Sequence, residues 1–127
     1  MRSLITSIIC LIILIGGWLI FYNYSDNYLH QSIKRIDDEI MVEIEEENWS
    51  DAYEDFSNIN SNWHKYKKVA SFFLDTETIN EIDFTFSKTI KYIKAKDVSN
   101  GSGELNCLKE QLIFLHKNET LNLENIF

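Results

Sequence analysis

Residues 49–73 read WSDAYEDFSNINSNWHKYKKVASFF, and within them Trp49, Ala52, Phe56, Ile59, Trp63, Tyr66, Ala70 and Phe73 recur at steps of three and four. That period gathers the apolar side chains on one face of an α-helix, whereas a half-buried strand would show alternation by two. Ser50 is placed to cap the start. Asp51, Glu54 and Asp55 come early and Lys65, Lys67 and Lys68 late, so both ends complement the helix dipole.

The pattern extends in both directions. Upstream, Leu29, Ile33, Ile36, Ile40 and Ile44 form a stripe on a helix entered after Ser25 or Asp26, either of which has a capping side chain. Downstream, Asp75 and Thr76 restart the pattern, with Thr78 and Glu81 in capping-box spacing. Ile79, Ile82, Phe86, Ile90 and Ile93 make a third stripe, followed by lysines at 88, 91, 94 and 96. Residues 97–103 predict a break, because Gly101 and Gly103 disfavour helix and Gly101-Ser102-Gly103 reads as a flexible turn. Leu105, Leu108, Leu112 and Leu115 supply a fourth, shorter stripe. The tail at 120–127 alternates loosely, and its apolar Ile126 and Phe127 are expected to dock on the rest.

Four amphipathic helices on short connections predict an all-α fold, an antiparallel up-down bundle of about four helices over residues 24–127. A continuous dimeric coiled coil through the first two stripes is the alternative. Trp49, Phe56, Trp63 and Phe86 are the predicted core aromatics. Trp49 and Trp63 stand about four helical turns apart on one face, which also suits a ligand-stacking platform.

Ahead of the bundle, residues 4–22 form a run of 19 without a charge, rich in Ile and Leu. At about 1.5 Å per residue it spans roughly 28 Å, close to the hydrocarbon thickness of a bilayer. A cleavable signal has a shorter apolar region and ends in small residues. Here the run ends in Trp18, Phe21 and Tyr22, with Tyr24 beyond, which suit an interfacial belt, so residues 1–23 are predicted to be an uncleaved transmembrane anchor. Ile9 directly before Cys10 argues against lipid attachment there. Arg2 precedes the span while Lys34 and Arg35 follow at a distance, which predicts a cell-membrane protein with its N-terminus cytoplasmic and its C-terminal domain outside. Ser3, Ser7 and Cys10 at helical spacing would let two spans approach as a homo-oligomer, or are serines and a cysteine simply tolerated in a span.

Composition narrows the function classes. A net charge of -8 from 20 acidic and 12 basic side chains repels phosphate and excludes nucleic acid as a partner. Cys10 lies in the span, which leaves Cys107 with nothing to pair with in a disulfide framework. The residues three before His30, His64 and His116 are Asn27, Ser61 and Ile113, so the Glu-x-x-His pairs of a di-metal bundle are missing. No zinc spacing, nucleophile elbow or phosphate loop is present. No catalytic, metal or cofactor-binding residue is assigned, and the chain is not expected to be an enzyme.

Charge is distributed unevenly. Residues 37–55 hold ten carboxylates and no base. On a continuous helix Glu39, Glu43, Glu47, Asp51 and Asp55 would align at i, i+4, where like charges repel by a few tenths of a kcal/mol per pair. The row is a candidate face for a cation or a basic partner, near the membrane. Its alternative is a solvated face relieved by a helix break at 48–50 and by lysines of neighbouring helices.

The order of several groups resembles a known family. Asn48-Trp49 with Ala52, Trp63-His64-Lys65 with Lys67 and Lys68, Asp75 with Ile79 and Ile82, Tyr92-Ile93-Lys94 with Lys96-Asp97, and residues 121–127 (Leu121-Asn122-Leu123-Glu124-Asn125-Ile126-Phe127) resemble the uncharacterised family called domain of unknown function 4363. The resemblance implies a small, N-terminally anchored protein of low-GC, spore-forming bacteria. It also implies a membrane partner, since some members are encoded beside a multi-span membrane family. This chain departs from the family in lacking a histidine in the acidic stretch after Asp75, and in its Gly-Ser-Gly segment, where continuous helix is expected. Together the readings predict an interaction or scaffold protein that contacts another membrane or envelope protein, with a link to sporulation. A sensor-like module that takes a cation or small ligand on its acidic face is the alternative.

Overall fold

The computed structural model describes the backbone of residues 1–126 and the side chains of residues 1–118. Helix α1 spans Arg2–Arg35 and runs on through a π-helical turn, Ile36–Ile40, into α2, Met41–Glu45. Helices α3 (Trp49–Ala70), α4 (Thr76–Lys94) and α5 (Val98–Ile126) follow, and no strand occurs among the described residues. The α1–π–α2 rod runs up, α3 down, α4 up and α5 down. Cross-helix pairs set this antiparallel order: Ser25 meets Tyr66, Trp63 meets Asp83, Lys88 meets Glu104 and Lys109 meets Asp37. The fold is therefore the up-down four-helix bundle expected, and the coiled-coil stalk is not formed.

All four apolar stripes face inward. Ile36, Ile40, Ile44, Phe56, Trp63, Ile82, Phe86, Leu105, Leu108 and Leu112 are fully buried. Buried side chains at steps of four overshoot a 3.6-residue turn by about 40° each time. The π turn takes up that drift, because its wider winding returns Ile40 and Ile44 to the face that carries Leu29 and Ile36.

Helix boundaries correct several expectations. Neither Ser25 nor Asp26 caps a helix, since α1 passes through both without a break. Ser25 is instead buried, its hydroxyl 2.6 Å from that of Tyr66. Asn48, and not Ser50, precedes α3. Asp75 caps α4 by accepting from the Thr78 N–H, so the capping box at Thr78 and Glu81 is not used.

The α2 and α4 ends are each closed by a left-handed residue that is not glycine. Glu47 has φ 58° and Lys96 has φ 56°. Around them Asn48 N–H reaches the Glu43 carbonyl and Asp97 N–H reaches that of Tyr92, the long bond of a Schellman closure. The predicted break at 97–103 falls earlier, at 95–97, and does not include the glycines. Asp97 accepts from the Asn100 N–H, and α5 starts at Val98 and passes through both glycines. At Gly101 an added Cβ would stand 3.8 Å from Tyr92 Cβ, an ordinary contact. Leu105 and Leu108 are buried only one to two turns later, so packing of the stripe outweighs the low propensity of the glycines. Helix α5 continues to Ile126 where a loose tail was read, and the docking of Ile126 and Phe127 lies outside the described side chains.

Candidate functional site

Two regions at opposite ends of the bundle carry the distinctive chemistry. One is the acidic hairpin of the π turn, α2 and the start of α3. The chain reverses at residues 46–48, so the five carboxylates do not form one row. Glu39 stands in the π turn, Glu43 in α2, Glu47 in the reversal, and Asp51 and Asp55 on α3. The fold-back brings Asp55, Asp51 and Glu39 within electrostatic reach of Glu43. Glu43 is half-buried and its carboxyl is pushed up to about 7. Burial is the main cause, followed by the adjoining Asp55 carboxylate and the charges of Asp51 and Glu39.

Positive charge reaches the hairpin through the ion-pairing side chains Arg35 and Lys109, and Lys94 and Lys96 at the end of α4 line a groove with Trp49 and Ser50 beside it. Arg35 lies 3.4 Å from Glu39 and 3.8 Å from Asp55, bridging the two helices, and Lys109 of α5 is 3.1 Å from Asp37. The i, i+4 spacing of Arg35 and Glu39 was the available signal for the first. The Asn48 side-chain amide donates to Asp51 at 2.8 Å. Among the described residues no group of three or more His, Cys, Asp or Glu side chains has a metal-holding arrangement.

The hairpin stands far along the helix from the apolar run. Glu45 follows Tyr22 by 23 residues on one unbroken helix, a rise of about 35 Å.

The other region is an aromatic column from the core to the base. Phe56 packs on Phe86, Phe86 on Trp63 (5.4 Å between ring centres), and Trp63 on Tyr66 (5.6 Å). Tyr66 stacks on Tyr28 at 4.3 Å and approaches Phe21, which stacks on Phe73 at 4.4 Å with Trp18 beside both rings. The Trp63 N–H donates to Asp83, which also receives Lys67, each at 3.1 Å, so the one polar atom of this buried indole is satisfied. Phe56, Trp63 and Phe86 are thus core residues as predicted. Trp49 is not: it is only partly buried at the margin, lining an open groove with Tyr53, Ile93 and Lys94. Trp63 is enclosed by protein, so the two tryptophans do not form a stacking platform. His30 and His64 are exposed, and His116 pairs with Asp26.

Beneath the column, Leu4, Ile8, Leu11, Ile12 and Leu14 project from α1 as exposed side chains. By length and composition this helix can cross a membrane. The molecule is thus a four-helix bundle carried on one such helix. The chain belongs to the family defined by a domain of unknown function (DUF4363), whose model matches residues 20–126. The match takes in the bundle and begins at the last turn of the apolar run, where Phe21 joins the aromatic column. No curated protein and no solved structure matches the chain.

Proposed function

We propose that this protein is a membrane-anchored interaction protein without catalytic activity, single-pass in the cell membrane, its N-terminus cytoplasmic and its bundle outside. The observation that supports this best is the placing of the acidic hairpin at the far end of a continuous 44-residue helix whose other end is the apolar run. Such an arrangement holds a dense negative surface at a set height, where a basic face of another membrane or envelope protein would meet it. The grooves on the bundle are open and shallow, which suits a protein partner better than an enclosed small ligand.

A photocrosslinker at the exposed positions Asp38 and Glu46, in native membranes sampled through growth and sporulation, is expected to capture one partner protein. Recovery of the chain alone at every stage overturns the reading. One observation favours the second reading, a cation-responsive module: the crowding of Asp55, Asp51 and Glu39 about Glu43, with Arg35 bridging only Glu39 and Asp55. A melting temperature unchanged by millimolar calcium removes it.

A further inference from the structure

The turn between α3 and α4 carries an aromatic surface that the bundle does not use. Phe72 is 84% exposed, the most exposed phenylalanine among the described side chains, and Val69 and Phe73 beside it are also open. Together with Gly17, Ile20, Phe21 and Tyr24 of α1, Val69 and Phe73 line an apolar groove of about 460 Å³. A bundle that needed only to stay soluble would place polar side chains at such a turn.

What lies next to the turn identifies its surroundings. Phe73 stacks on Phe21 at 4.4 Å and lies 5.7 Å from Trp18, and both partners belong to the uncharged run 4–22. Counting from Arg2, Trp18 rises about 24 Å and Phe21 about 28 Å. Both heights fall within the roughly 30 Å of a bilayer's hydrocarbon, just inside its far edge. The turn is therefore level with the end of the span. His64, Lys65 and Lys68 are exposed on the last turns of α3 above it, where long basic side chains reach lipid phosphates. The acidic hairpin, which an anionic lipid surface repels, is at the opposite pole, and of the acids only Asp75 and Glu77 follow Phe72 closely in the chain.

We propose that the α3–α4 turn is a second membrane contact, with Phe72 inserted among lipid acyl chains and the groove against α1 filled by lipid. This rests on the reading of α1 as a membrane span, so the test separates the two. The full chain, with Cys10→Ala and Cys107→Ala, is reconstituted in vesicles of phosphatidylethanolamine and phosphatidylglycerol that include a nitroxide-labelled phospholipid. A polarity-sensitive fluorophore is attached through Phe72→Cys, or in reference chains through Ile12→Cys in the span or Ser99→Cys at the far end.

The expected result is blue-shifted emission and strong nitroxide quenching at 72, approaching that at 12, with neither at 99. Quenching at 12 but not at 72 overturns the proposal and leaves the span standing. No quenching at either position overturns both. A probe at 72 shielded from aqueous iodide yet unquenched by the lipid nitroxide assigns the turn to a protein contact, such as a second copy of the chain, and also overturns the proposal.

Discussion

The hydroxyls of Ser25 and Tyr66 meet at 2.6 Å in the interior, joining α1 to α3 where Tyr66 also stacks on Tyr28. A buried hydrogen bond of this kind contributes about 1 kcal/mol net. Tyr66→Phe and Ser25→Ala are each expected to lower stability by about that amount. Urea unfolding of the detergent-solubilised full chain, run as a double-mutant cycle, should return a coupling of about 0.5–1.5 kcal/mol. Additive losses would mean that each hydroxyl acts through other contacts.

The Glu43 carboxyl gives the hairpin a pH dependence. Its folded value of about 7 lies above the ordinary 4.5, so the folded state holds this proton more tightly than the unfolded chain. Stability from this group is full below about pH 4.5 and is lost as pH rises through 7. Because much of the side chain meets solvent, the loss is about 1 kcal/mol, well short of what the full shift would imply. Glu43→Gln should flatten the profile between pH 5 and 8 and raise the melting temperature at pH 8. A variant with the wild-type slope would locate the titration elsewhere.

Glu47 and Lys96 both hold left-handed backbone at helix ends. A side chain there costs roughly 1 kcal/mol relative to glycine. Glu47→Gly and Lys96→Gly are therefore each expected to stabilise by about that much. Chemical unfolding of each single variant reads the gain, and an unchanged or lower stability would mean that the side chain makes contacts that offset the backbone cost.

Gly101 and Gly103 sit inside α5, at ordinary or open distances from their neighbours. Alanine at either should stabilise by about 0.5–1 kcal/mol, through helix propensity and a less flexible unfolded chain. Destabilisation by both would restore the turn that composition suggests.

The four-helix architecture was readable because burial in a helix repeats at 3.6 residues, and Leu29, Ile59, Ile82 and Leu108 mark their faces without ambiguity. The closures were less readable. Glu47 and Lys96 stand where glycine is the usual signal, while the real glycines lie in mid-helix, kept there by Asp97 at the cap and the leucines beyond. The acidic cluster was found by composition, and the helix break read at 48–50 anticipated the reversal at 46–48 to within two residues, although no glycine or proline announces it. Arg35 meets Glu39 by its i, i+4 spacing, but its bridge to Asp55 exists only through the fold-back. Phe72 and Phe73 are adjacent aromatics whose meaning comes from Trp18 and Phe21, some fifty residues away in the chain.

The unbroken rod from Arg2 to Glu45 makes the bundle a lever. Helices that cross membranes lean by about 20° on average, and with no hinge between span and bundle such a lean would carry the acidic end about 12 Å sideways. Two helices leaning together or apart would thus change the spacing of their far ends by up to about 24 Å, roughly twice the width of a helix. Position at the tip is in this way governed by the angle at the base.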